Sequence, residues 1–98
     1  MRKIIMYHAD WCGPCKYDRA HYVPAVEELA GGAHIEQINV RDAYTACRRL
    51  HIARVPAYVL VDDDGAEHVL REKLPPEIAA DFLAGKGECD DYSQYYGQ

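Results

Sequence analysis

Residues 11–15 read Trp-Cys-Gly-Pro-Cys, and they stand where the periodicity of the chain changes. Before them, Lys3 to His8 carries Ile4-Ile5-Met6-Tyr7. That run is apolar at successive positions, as a strand buried on both faces requires. From Cys15 onward the spacing becomes helical, with Tyr22, Val26, Leu29 and Ala30 on one face and a stop at Gly31-Gly32. A strand passing into a helix here places Cys12 at the helix N-terminus. Unpaired N–H groups and the positive end of the helix dipole favour a thiolate there. A free cysteine titrates at about 8.5, and such a site lowers this to about 3.5–7.5. Cys15, three residues on, returns to the same side of the first turn, so the two thiols can close a disulfide. Pro14 is tolerated because its missing donor would have no partner in that turn. Pro24, further along, removes a donor and is expected to kink the helix.

The rest of the chain supplies a sheet for this unit. His34 to Val40 reads as a second strand, and Asp42 is placed to cap a short helix from Ala43 to Leu50. Val55 to Val61 reads as a third, well-buried strand. Asp62 to Gly65 forms a turn, and Ala66 to Arg71 returns as a fourth strand. Leu74-Pro75-Pro76 leads into a last helix with an apolar stripe of Ile78, Ala79, Phe82 and Leu83. From Gly85 the chain is polar, acidic and tyrosine-rich, which suggests a domain over 1–84 and a loose tail over 85–98. The order is β-α-β-α-β-β-α, an α/β fold with a four-stranded mixed sheet and helices on both faces. Strands joined through helices are expected as parallel neighbours, and the final hairpin as antiparallel.

Composition narrows the function. With 11 Lys and Arg against 16 Asp and Glu the net charge is −5, a poor match to a nucleic-acid backbone. No apolar run approaches the roughly 18 residues of a membrane span. The apolar run near the N-terminus is shorter than the about 7–15 residues of a signal peptide's apolar region. A cytoplasmic, reducing setting is therefore expected, where a structural disulfide framework is uncommon.

The pentapeptide Trp11 to Cys15 after a buried strand, with Val55-Pro56 opening the third strand, resembles thioredoxin. The resemblance covers roughly residues 3–84 and implies the thioredoxin fold without its first strand and helix. It implies that Pro56 is cis and faces the cysteines, and that Val55 pairs with bound substrate. Trp11, Gly13 and Pro14 would complete the substrate-binding surface. The implied chemistry is thiol–disulfide exchange, with Cys12 as nucleophile and Cys15 as resolver. No cofactor is implied beyond a redox-active Cys12–Cys15 disulfide. The implied partners are disulfide-containing proteins and a recycling enzyme like thioredoxin reductase, with the chain a monomer, off the membrane and off nucleic acid. Two other functions suit the same fold: a glutaredoxin-like electron donor dedicated to one enzyme, and a non-catalytic binding module.

The chain departs from the family at several points. Met6 stands where thioredoxins carry a buried Asp, and Gln37 where they carry its Lys partner. Cys15 is then expected to exchange its proton with water or a substrate group, with His8 a further candidate. The helix is about one turn longer, through Lys16, Tyr17, Asp18, Arg19 and His21, and this face is expected to be solvated. Glu72 stands near a groove position that is usually glycine. Asp10 beside Cys12 opposes the dipole, whereas Lys16 supports it. Cys47 is expected as a small core residue, with regulatory oxidation the alternative, and Cys89 as an incidental thiol. A zinc site using Cys12, Cys15, Cys47 and Cys89 or His51 is the main rival, but one C-x-x-C pair is little support for it.

Overall fold

A computed structural model describes residues 1–96. Four strands form one sheet: β1 (Lys3–His8), β2 (Glu36–Asn39), β3 (Ala57–Val61) and β4 (Glu67–Val69), in the order β2-β1-β3-β4. The helices are α1 (Gly13–Ala20), α2 (Tyr22–Leu29), α3 (Tyr44–Arg49) and α4 (Pro76–Leu83). β1 and β2 are parallel, as expected. β3 instead lies antiparallel to β1, although a helix separates it from β2 in sequence. Burial accounts for its place beside β1 rather than β2: β1 and β3 are buried on both faces, whereas β2 is half exposed and suits an edge.

Alternation along the two central strands divides the core. Ile4, Met6, Tyr58 and Leu60 face one side, under Val23 and Val26 of α2 and Ala79 and Phe82 of α4. Ile5, Tyr7, Val59 and Val61 face the other, packed by Cys47 and Leu50 around α3. Helices thus cover both faces of the sheet.

The expected long helix is two. The break falls at His21, whose φ and ψ are −125° and −56°. Pro24 explains it, because it cannot donate to the carbonyl of Ala20, four residues back, and its ring crowds that oxygen. The reorientation leaves Leu29 exposed and buries Val23 in its place, correcting the expected stripe. Asp42 does not cap α3: it ends a 3-10 turn over Val40–Asp42, and Ala43 takes the cap position without a side-chain bond.

Residues 85–96 are not loose. Cys89–Tyr95 forms a 3-10 helix, begun by the Glu88 N–H donating to Asp91 Oδ2 at 2.9 Å. Tyr92 is buried edge-on against Phe82, with ring centroids 5.0 Å apart, and its hydroxyl donates to the Lys86 carbonyl at 2.9 Å. Tyr96 stacks on His68 at 4.1 Å, and the Arg71 N–H donates to the Tyr95 carbonyl at 3.1 Å. From the opposite end of the chain, the Arg2 guanidinium donates to the Lys86 and Gly87 carbonyls. The tyrosines supply apolar area that a polar-looking composition concealed. Gly97 and Gln98 lie outside the described residues.

His8 ends β1 on the Met6 side and is 7% exposed, with Nδ1 buried and unpartnered. It is therefore more buried than a polar strand end would be. Burial, aided by the Arg19 charge, pushes its pKa below the ordinary value. The unfolded chain then binds the proton more readily, so His8 costs stability as pH falls below about 6.5. His8→Gln should lessen the fall in urea midpoint between pH 7 and pH 5; an unchanged pH dependence would contradict this. Tyr92→Ala should destabilise the fold by about 3 kcal/mol in urea titrations. A loss below about 1 kcal/mol would mean that the 3-10 segment is only loosely attached.

Candidate active site

The turn between β1 and α1 carries the cysteines. The Cys12 N–H donates to the Ala9 carbonyl at 3.2 Å, which closes the turn. Cys12 is the N-cap of α1, and its Sγ accepts the Cys15 N–H at 3.1 Å. That bond occupies one of the unpaired donors of the first turn and is the local reason for negative charge to be stable on this sulfur. Gly13 and Pro14 are the first residues of α1, so the missing N–H of Pro14 costs nothing. Cys12 and Cys15 are joined as a disulfide, with Cα atoms 5.2 Å apart. Cys12 is 3% exposed and Cys15 1%, whereas Trp11 beside them is 80% exposed.

Opposite the disulfide lies the loop before β3. Two residues beyond the end of α3 stands His51, whose φ of 58° is left-handed. The Ile52 N–H returns to the Cys47 carbonyl at 2.9 Å, turning the chain toward residues 53–56. The Val55–Pro56 bond is cis. The Val55 carbonyl oxygen lies 3.6 Å from Cys12 Sγ. Trp11, Gly13, Pro14, Val55 and Pro56 are thus gathered near the sulfurs.

Two concavities flank this loop, and Val55 lines both. One, of about 520 Å³, has Trp11, Val40, Tyr44 and the arginines 41, 48 and 54 on its wall. The other, of about 750 Å³, runs along Pro14, Asp18, Pro56, Tyr58, Glu72 and Lys73. Glu72 is exposed on its rim.

Charges near the thiols are arranged. The Asp10 carboxylate, which opposes the dipole in sequence, is taken up by Arg41 and by Asn39 Nδ2, the latter at 2.9 Å. Its charge is therefore partly compensated from the end of β2. Asp18 is the larger surprise. The helix face that contains it was expected to be solvated, but Asp18 is 3% exposed. Tyr58 Oη donates to Asp18 Oδ2 at 2.8 Å, and Lys73 Nζ donates to Oδ1 at 2.7 Å. Lys73 Nζ also lies 4.9 Å from the centroid of the Tyr22 ring. Burial, with the Asp18 charge, pushes the Tyr22 and Tyr58 hydroxyls far above the ordinary tyrosine value, so both remain donors. The sequence did hold a signal. Positions 15, 18, 22 and 26 fall on one helical stripe, and Asp18 is the acid within it. Its partner Lys73 is 55 residues away and carried no mark.

The remaining cysteines are free and half-buried. Cys47 packs against one face of the sheet and Cys89 against the other. Burial raises the Cys47 thiol pKa. Among the described residues, no three His, Cys, Asp or Glu side chains gather as a metal site. Among them too, no helix is long and apolar enough to cross a membrane.

Solved structures with this fold include the first thioredoxin domain of mouse protein disulfide-isomerase A4. It matches with TM-score 0.68 and 15% identity, over 86% of this chain and 61% of that one. This chain thus spans less than two thirds of that one. Chloroplastic thioredoxin z matches with TM-score 0.63 and 22% identity, over 87% of this chain and 77% of that one. The oxidised mitochondrial thioredoxin 3 of Saccharomyces cerevisiae matches with TM-score 0.63 and 19% identity, over 86% and 77%. At such identities these likenesses speak for the fold alone. No curated protein matches the chain. The thioredoxin family model matches residues 2–83, from β1 through α4, and by that match the chain belongs to the thioredoxin family.

Proposed function

We propose that this protein reduces disulfides in other proteins by dithiol–disulfide exchange. The observation that carries the reading is the position of Cys12, at the cap of α1 and 3.6 Å from the backbone of the cis-proline loop. In the reduced form, the Cys15 N–H and the helix dipole stabilise a Cys12 thiolate. That thiolate attacks a substrate disulfide and forms a mixed disulfide. Cys15 attacks Cys12 in turn, closing the Cys12–Cys15 bond and releasing the substrate as a dithiol. The reducing equivalents come back from a dithiol donor such as a reductase enzyme. The exposed Trp11 and the surface around Gly13, Pro14, Val55 and Pro56 receive the substrate segment. The backbone of Val55 pairs with it. No bound cofactor is needed, because the disulfide itself carries the electrons.

The roles of the two sulfurs are separable. Cys12→Ser should bring the reduction of insulin disulfides by dithiothreitol back to the uncatalysed rate. Cys15→Ser should leave a first attack intact and accumulate mixed disulfides on Cys12, seen by mass spectrometry. Adducts located on Cys15 in Cys12→Ser, at comparable yield, would overturn the assignment. Equal insulin turnover by the parent and Cys12→Ser would favour a non-catalytic binding module.

A further inference from the structure

The resolving thiol has to lose a proton where water is scarce. Cys15 is 1% exposed and belongs to the same buried cluster as Met6, Tyr22 and Tyr58. Burial disfavours its thiolate, so its attack on Cys12 needs a base. Asp18 follows it by three residues on α1, a spacing that sets Cβ atoms about 5–6 Å apart on one helix face. Tyr58 and Lys73 each occupy one oxygen of the Asp18 carboxylate. An ionised carboxylate offers about four lone-pair sites, so acceptor capacity remains. Asp18 also lines the groove beside Pro14 and Pro56. A carboxylate buried in an otherwise apolar stripe and paired with a half-exposed lysine is weak as a stabilising device, since an apolar residue of similar size often does as well or better.

We propose that Asp18 is the base that takes the Cys15 proton, through a water drawn from the groove, when Cys15 resolves the mixed disulfide. This rests on the exchange reading above. The Cys15 S–H proton passes to the carboxylate, and the Cys15 thiolate attacks Cys12 Sγ. The Cys12–Cys15 bond forms as the Cys12–substrate bond breaks, and the electron pair of that bond leaves with the substrate sulfur. Asp18 then returns the proton along the groove to the departing thiolate. The protein dithiol is oxidised and the substrate disulfide reduced, with no proton left over. Lys73 is half exposed, so its ammonium can turn toward water while Asp18 is neutral. Tyr58 keeps the carboxylate oriented throughout.

The test mixes reduced protein with one equivalent of 5,5′-dithiobis(2-nitrobenzoate) in a stopped-flow instrument. All variants carry Cys47→Ala and Cys89→Ser, so that thiolate release reports Cys12 and then Cys15. Asp18→Asn should leave the first release within about 3-fold of the parent and slow the second by about 100-fold at pH 7. The deficit should shrink as pH rises and hydroxide replaces the base. Lys73→Met, which keeps the carboxylate, should retain most of the second-phase rate. An unchanged second phase in Asp18→Asn would overturn the proposal. So would a second phase lost in His8→Asn but kept in Asp18→Asn, or an equal loss in Lys73→Met at every pH, which is the mark of a structural pair. Absence of any first release from the parent would instead overturn the exchange reading itself.

Discussion

The active site depends on one short connection, in which the central strand β1 gives way to α1 with Cys12 as the cap. A capping side chain normally offers an oxygen to the free N–H groups of the first turn. Here a sulfur does so, and the Cys15 N–H lies 3.1 Å from it. The same groups that begin the helix therefore favour charge on Cys12 Sγ once the disulfide is reduced. The arrangement is rigid because β1 is buried on both faces and held by strands on both sides. Opposite it, the left-handed turn at His51 and the Val55–Pro56 loop bring a backbone carbonyl to the sulfur.

Much of this was legible in residues 3–30 alone. An apolar run, a turn, a proline allowed only in a first turn and a helical stripe together fix where the thiols lie. Local signals also marked the hairpin at Asp62 to Gly65 and the start of α4 at Pro76. What escaped was whatever depended on pairing between distant segments. The placement of β3 beside β1 follows from the need of the two most buried strands to cover each other, which no single strand states. The 3-10 segment after Gly85 is held by Phe82, His68 and Arg2, so its polar composition misrepresents it.

The buried polar groups were the hardest to read. Among the described residues, His8 and Asp18 are the two polar or charged residues buried on the side of the sheet shared with Met6 and Cys15. His8 is neutral by preference, with a nitrogen left unpartnered. Asp18 has a partner on each carboxylate oxygen and lines the groove. Their burial on the side of the sheet that carries the Cys12–Cys15 pair gives two costly burials a chemical context under the proposed exchange.

The central claim is that Cys12 and Cys15 act as one two-electron pair. It is tested most directly by equilibrating the protein in dithiothreitol redox buffers, reading the fluorescence of its single tryptophan, Trp11, and trapping free thiols for mass spectrometry. The account predicts one transition with a slope of about 29.6 mV per tenfold change in the buffer ratio, with Cys12 and Cys15 changing together and Cys47 and Cys89 unaffected. Independent modification of Cys12 and Cys15, or the absence of a transition between them, would contradict it.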